Sequence, residues 1–372
     1  MTHGWPVVEA LRALAKGHPQ SVDVPALLLR RLVHAGLGPC LRNLARTQSA
    51  DDAELLTAAD LTARVISAQM LNALAEILRA APDTADRIVL LKGIAACQRH
   101  YPEPHQRLMG DIDLLVTPDL QPRLEAVLRT LGYVQRSEFT SEFYVTHHHS
   151  MPFFHPSSGV WVEVHRALFP SASPLAQDRC FQADVIWAST SPITVGDCRA
   201  RVLSDELHLL YTCGHWGGAL NTERGLMPML DVIFLLRATP LDWDWIRHAV
   251  AHSVVSKHIG LMLGYLYSRD VTTLDAAGQR LMTDGLKKLG RLNAELLYRI
   301  IDRYVVGRQE FGRFGTHYNT LIVWDALLRP LPPLRNLVEL PLLLFFPPGR
   351  SDRFSPALIL RRLWAMVNPR TT

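Results

Sequence analysis

The sequence predicts an α+β fold, with a compact α/β unit set between an N-terminal helical segment and a C-terminal helical half. Three observations predict it. Residues 1–85 carry apolar side chains at helical spacing. At Arg87 the pattern changes to short apolar runs closed by glycine, and from Ser204 helical periodicity returns and persists to about Leu328. The expected organisation is a helical cap over 1–85, a core over 86–200, a helical domain over 201–330 and a proline-rich basic tail over 331–372. A chain of 372 residues is long for one core, so more than one domain is expected.

In the cap, residues 6–16, 26–34 and 51–81 read as helices, the last with Asp51 and Asp52 near its start. In the core, 88–91 is a strand closed by Lys92-Gly93, followed by a helix over 94–100. The next strand is 111–116. Asp119 is the expected cap of a helix whose first turn holds Pro122 and which stops at Gly132. Residues 143–154 and 160–165 flank Pro156-Ser-Ser-Gly159 as the two strands of a hairpin. Ser204 and Asp242 are expected N-caps of C-terminal helices. The tail is broken by Pro332, Pro333, Pro341, Pro347 and Pro348 before a last amphipathic helix over 355–368. That helix is expected to dock on the body, with contact to an anionic membrane surface as the alternative.

Charged residues at 20% and hydrophobic residues at 48% exclude a disordered chain. The net charge of +4 is mild but unevenly spread, since residues 301–372 hold ten Arg and no Lys against five acids. A basic surface of that kind is either a solvated face or a patch for phosphate, RNA or anionic lipid; nucleic acid is not the favoured partner. Cys40, Cys97, Cys180, Cys198 and Cys213 are scattered without paired metal spacing and read as reduced thiols. The N-terminus lacks a basic-then-apolar leader and the longest apolar run, 340–346, is too short to span a bilayer. A cytoplasmic protein is expected.

The chemistry starts in Met109-Gly-Asp-Ile-Asp-Leu-Leu-Val116, where two acids interrupt a run that otherwise asks for burial. Carboxylates are costly to bury unless paired or metal-bound. Side chains alternate along a strand, so Asp111 and Asp113 share one face while Ile112, Leu114 and Val116 fill the other. The later strand repeats the device: Val160, Val162 and Val164 share one face, and Trp161, Glu163 and His165 the other. Neighbouring strands would then bring Asp111, Asp113 and Glu163 to one surface. Without cations of the protein's own they would repel, so neutralising one is expected to leave the fold as stable or more so. Hard carboxylate oxygens suit Mg²⁺, which takes phosphate oxygens as further ligands, and two such ions are expected. Lys92-Gly93 at a strand-to-helix turn, with Gly110 and Arg107 near the acidic strand, suits a polyphosphate. Arg107 has the alternative of pairing with one of the same acids.

Further along, His147, His148 and His149 with His155 raise a zinc reading, but contacts to the acceptor or to phosphate, or a polar wet face, are favoured. His208, Tyr211 and His215 share a helical face and are expected in a core or cleft. Glu223, Arg224 and Asp231 either face the cleft or form surface pairs.

Taken together, Leu91-Lys-Gly93, Arg107-x-x-Gly-Asp-Ile-Asp-Leu-Leu-Val116 and Val162-Glu-Val-His165 resemble the uncharacterised bacterial branch of the nucleotidyltransferase superfamily, which includes DNA polymerase beta and the aminoglycoside nucleotidyltransferases. The resemblance covers residues 86–170, with a weaker echo at Arg224 and Asp231. It implies a nucleotidyltransferase-type mixed sheet, with Asp111 and Asp113 binding the metals and Gly93 under the triphosphate. Glu163 would complete the metal site and help deprotonate the acceptor. Lys92, Gly93, Arg107, Gly110 and His165 are the expected nucleotide-binding set. One departure is Lys92-Gly93 where the superfamily usually has Gly-Gly or Gly-Ser. The expected reaction is Mg²⁺-dependent transfer of NMP from an NTP to a small-molecule, peptide or protein hydroxyl, with release of pyrophosphate. The alternatives are kinase-like phosphoryl transfer at the same site and a non-catalytic partner-binding protein.

Overall fold

The computed structural model describes residues 5–17, 22–46, 49–137, 139, 141–219, 225–307, 323 and 326–328. The predicted tail over 331–372, its helix over 355–368, and Glu223 and Arg224 lie outside the described residues.

The N-terminal segment forms α1 (Trp5–Lys16), α2 (Ala26–His34) and the long α3 (Ala50–Ala80). α3 begins where Ser49 Oγ accepts the Asp52 amide, and Asp51 and Asp52 meet the positive end of the helix dipole. Its buried stripe includes Leu56, Ala63, Met70, Leu74 and Ile77. Asp60 is buried on the same stripe and is neutralised by Arg42 at 2.5 Å, Arg64 at 2.9 Å and His105 at 3.0 Å.

The core elements follow in order: β1 (Val89–Leu90), α4 (Lys92–Arg99), β2 (Ile112–Leu115), α5 (Gln121–Thr130), β3 (Val134–Gln135), α6 (Ser141–Thr146), β4 (Phe153–Phe154), β5 (Trp161–His165), β6 (Thr190–Val195) and β7 (Cys198–Leu203). The seven strands make one mixed sheet in the order β3-β4-β5-β2-β1-β7-β6. β2 and β5 run parallel with Asp113 opposite Glu163, and β1 lies antiparallel on the other side of β2.

Two local expectations are corrected. Residues 143–154 do not form one strand: Phe143 contacts Phe139 and His147 at ring separations of 4.9 and 4.7 Å, the four-residue spacing of a helix, and pairing with β5 is confined to Phe153–Phe154 and an isolated bridge from His149 to His165. Asp119 does not cap α5. The amides of Leu120 and Gln121 go to the Thr117 carbonyl instead, and Asp119 turns to Arg87 at 3.5 Å. β6 and β7 form a hairpin at the sheet edge, and β6 is the edge strand, where Pro192 is tolerated. Ser204 and Asp242 do cap, accepting the Leu207 and Trp245 amides.

The C-terminal half comprises α7 (Asp205–Ala219), α8 (Leu226–Ala238), α9 (Trp243–Ala249), α10 (Val255–Ser268), α11 (Ala276–Leu289) and α12 (Arg291–Ile300). α8 is buried along most of its length, from Leu226 to Leu235, and packs against α7, α1 and α4. Among the described residues no helix is long and apolar enough to cross a membrane.

The sheet separates two cores. Leu90, Ile112, Leu114, Val162 and Val164 pack against α5 and the C-terminal part of α3. Val89, Leu91 and Leu115 point the other way, into a core shared by α1, α2, α7, α8 and α10. The period of two therefore sends Asp113, on the Leu115 side, toward the helical half. A cavity of about 940 Å³ opens between that sheet face and the helices.

Candidate active site

The floor of the cavity is the β2–β5 pair. Asp113 is 1% exposed, and its Oδ1 accepts from Lys92 Nζ at 2.6 Å and from His165 Nε2 at 2.8 Å. Glu163 Oε2 lies 3.4 Å from His165 Nε2 and 3.8 Å from Lys92 Nζ. Asp111, half-buried, lines the cavity beside Asp113. The expected set thus divides. Lys92, Asp113, Glu163 and His165 come together as one ionic cluster. Lys92, Gly93, Arg107, Gly110, Asp111 and Asp113 line the cavity, while Glu163 and His165 lie beneath it and are not part of its lining.

The charges compensate one another. Burial would push the Asp113 carboxyl up, but the Lys92 ammonium and the His165 hydrogen bond outweigh it and hold it well below the usual carboxylate range. Burial likewise opposes a charged Lys92, and Asp113 above all restores it and raises it. His165 is desolvated yet raised, through its bonds to Asp113 and Glu163. The repulsion expected among bare carboxylates is therefore corrected, since Lys92 supplies a cation of the protein's own.

Lys92 adopts φ +49°, in the left-handed region that non-glycine residues enter at a cost of about 1–2 kcal/mol. Strain at the residue that pairs with both acids marks a constrained position. At Gly93 an added Cβ would stand 3.0 Å from Met109 Cγ and 3.4 Å from Arg107 Cζ, so a side chain would press on the 107–109 segment. At Gly110 a Cβ would meet no atom within 4 Å. No neighbour requires that glycine, and a methyl there would stand in cavity space.

The wall is helical. Arg99 and His100 at the end of α4 bind Asp205 at the start of α7, both at 2.8 Å, which docks α7 against the core. Tyr211 and His215, one turn apart, then line the cavity, whereas His208 faces His100 with ring centroids 5.3 Å apart. The Tyr211 hydroxyl is buried without a hydrogen-bond partner among the described residues and raised by that burial. Phe169 and Pro170 add an apolar side that carried no signal in the sequence.

Arg107 lines the cavity but is already committed. Its Nε and Nη2 reach Asp231 at 2.6 and 2.9 Å, its Nη1 donates to the Leu108 carbonyl, and Tyr101 donates to Asp231 at 2.7 Å. Its partner is thus Asp231 of α8 rather than an acid of the β2 strand. Asp231 is buried within an apolar helix, which is why it needs that partner. Only an unusual acid inside a hydrophobic helical run could have signalled this pair.

The donor set suits a hard divalent cation. Asp111 and Asp113 both line the cavity, and Asp113, Glu163 and His165 offer ligand atoms within 4.8 Å of one another.

A family model described as an uncharacterised nucleotidyltransferase matches residues 23–268, more than half of the chain. The chain belongs to this family. The matched span of this nucleotidyltransferase-family protein takes in the whole sheet, α2 and α3 before it and α7 to α10 after it, so floor and wall of the cavity both fall within it. No curated protein and no solved structure matches significantly.

Proposed function

We propose that the protein transfers a nucleoside monophosphate from an NTP to an acceptor hydroxyl, with Mg²⁺ held by Asp111 and Asp113. The observation that carries this reading is the meeting, in one cavity, of Asp113 on β2 and Asp111 just before it with the strained Lys92-Gly93 turn that begins α4. Mg²⁺ bound there would neutralise phosphate oxygens and favour the ionised acceptor. The acceptor oxygen forms a bond to the α-phosphorus, the bond from that phosphorus to the bridging oxygen breaks, and pyrophosphate leaves. The first turn of α4 offers backbone amides and the positive helix end to the phosphates, and the bare Gly93 keeps the approach open. Lys92 adds a cation beside them.

Glu163 takes a different part from the one its sequence position suggested. It bonds His165 and lies outside the cavity lining, so it positions Asp113 through His165. Asp111, which lines the cavity and keeps partial exposure, is the carboxylate suited to accept the hydroxyl proton. The apolar and hydrogen-bonding side made by Phe169, Tyr211 and His215 suits a small or extended acceptor entering from the helical half.

Incubation of the protein with each NTP, Mg²⁺ and a cell extract, followed by mass spectrometry of products, tests the reading. An added nucleotide mass that disappears with Asp111→Asn supports it. An added phosphate mass would make the reaction a kinase-like transfer, and no added mass with any NTP would leave a binding protein.

A further inference from the structure

We propose that His147, His148 and His149 form a second metal site, for a borderline divalent transition metal such as Zn²⁺, beside the carboxylate floor. Consecutive side chains in an extended segment diverge, but these three converge. Their ring centroids lie 4.3 Å (His147 to His148 and His147 to His149) and 4.8 Å (His148 to His149) apart, and each offers a nitrogen within 4.8 Å of the others.

The backbone is held in that shape from outside. Arg166 donates its guanidinium to the Tyr144 carbonyl and, at 3.0 Å, to that of His147. The His148 carbonyl accepts the Arg166 and Ala167 amides, and His149 bridges His165. A bend clamped to β5 in this way brings imidazoles together without any bond between them. His155, the fourth histidine of the sequence pattern, is not part of the group: it bonds the Leu131 carbonyl and Ser158.

Two features point to a ligand. The Nδ1 atoms of His147 and His148 are buried and have no hydrogen-bond partner among the described residues, and buried polar atoms rarely stay unsatisfied. His149 donates Nδ1–H to the Ser150 carbonyl at 2.7 Å, which leaves Nε2 as a lone pair, the outer-shell arrangement of metal-bound imidazoles. Imidazole nitrogens are ligands for Zn²⁺ at about 2.0–2.1 Å. Glu163 Oε2, 3.8 Å from His149 Nε2, is the carboxylate at hand to balance the ion's charge. The nitrogen-rich set prefers such an ion over Mg²⁺, so the two centres sort metals by donor type.

The test uses untagged protein stripped with a chelator and titrated with Zn²⁺ in excess Mg²⁺, read by calorimetry and metal content, with Co²⁺ as a spectroscopic probe of nitrogen ligands. One Zn²⁺ per chain is expected, with affinity reduced at least about tenfold in both His147→Gln and His148→Gln and retained in Asp111→Asn. Should a variant fail to fold, protection of His147 and His148 from diethylpyrocarbonate by Zn²⁺ in the wild-type protein gives the same answer. The proposal is overturned if wild-type protein binds no Zn²⁺, if binding survives the double substitution, if it is lost with Asp111→Asn alone, or if Zn²⁺ leaves both histidines fully reactive.

Discussion

Two buried ionic centres face each other across the cavity, and they are built differently. On the floor, Asp113 Oδ1 serves two donors at once, and Glu163 is met only at 3.4–3.8 Å. On the wall, Asp231 receives a two-point fork from Arg107 and a third bond from Tyr101, all at 2.6–2.9 Å. The wall is closed and saturated. The floor is compensated in charge but loose in geometry, and it carries the strained Lys92. A saturated fork holds α8 to the core; a loosely held cluster can exchange partners when a phosphate or a cation arrives. Arg107 is accordingly a positioning residue, and under the proposed function the contact with polyphosphate would fall to the floor.

That contrast can be broken most directly at the wall. Asp231→Ala strips the Arg107 guanidinium of its buried partner and should cost toward the upper end of about 3–5 kcal/mol in urea unfolding; a loss below about 1 kcal/mol would make the fork a solvated contact. Asp113→Asn should cost toward the lower end of the same about 3–5 kcal/mol, because Lys92 and His165 lose their shared acceptor. A raised melting temperature would show instead that the floor is dominated by carboxylate repulsion. The pair Lys92→Met with Asp113→Asn should recover at least about 1 kcal/mol of the single-variant loss, since an uncharged pair needs no compensation. No such recovery in the double-mutant cycle would mean that Lys92 is not what holds Asp113.

Histidines sharpen the contrast with opposite signs. His165 on the floor is raised, so its contribution is complete below about pH 6.5, the unfolded value, and is lost as pH rises through the folded one. His208 by the wall is lowered to about 3 by burial and by His100, so stability falls as pH drops from about 6.5 toward 3 while the unfolded chain takes up a proton. Stability of His165→Gln relative to wild type should therefore improve above that pH, and that of His208→Gln below it, each by at most about 1.4 kcal/mol per pH unit. Equal slopes in denaturation at several pH values would contradict the assignment. The smallest change in stability is expected for Gly110→Ala, within about 0.5 kcal/mol, since no atom opposes its methyl. NTP binding by calorimetry should nevertheless weaken at least tenfold, and unchanged binding would remove Gly110 from the nucleotide path.

Local rules explain which parts were legible. The strand alternation around Asp111 and Asp113, the capping by Ser204 and Asp242, and the period of the long α3 depend on neighbours within a few residues, and each appears as read. Asp119 misled because a backbone carbonyl took the role that its side chain was assigned. The segment 143–154 misled because aromatic contacts at four-residue spacing outweighed strand propensity in its first part.

By itself the sequence determined that Asp111 and Asp113 share a face, that Glu163 and His165 share another, and that glycine follows Lys92 at a strand-to-helix turn; period and chain connectivity suffice for that. Only the tertiary structure decided that Lys92 neutralises Asp113, that Glu163 lies beneath the cavity, that Arg107 belongs to Asp231 and that three histidines converge. Each of those outcomes turns on which charge finds which partner once both leave water. That choice is made between residues distant in the chain, through desolvation and packing that no local pattern encodes.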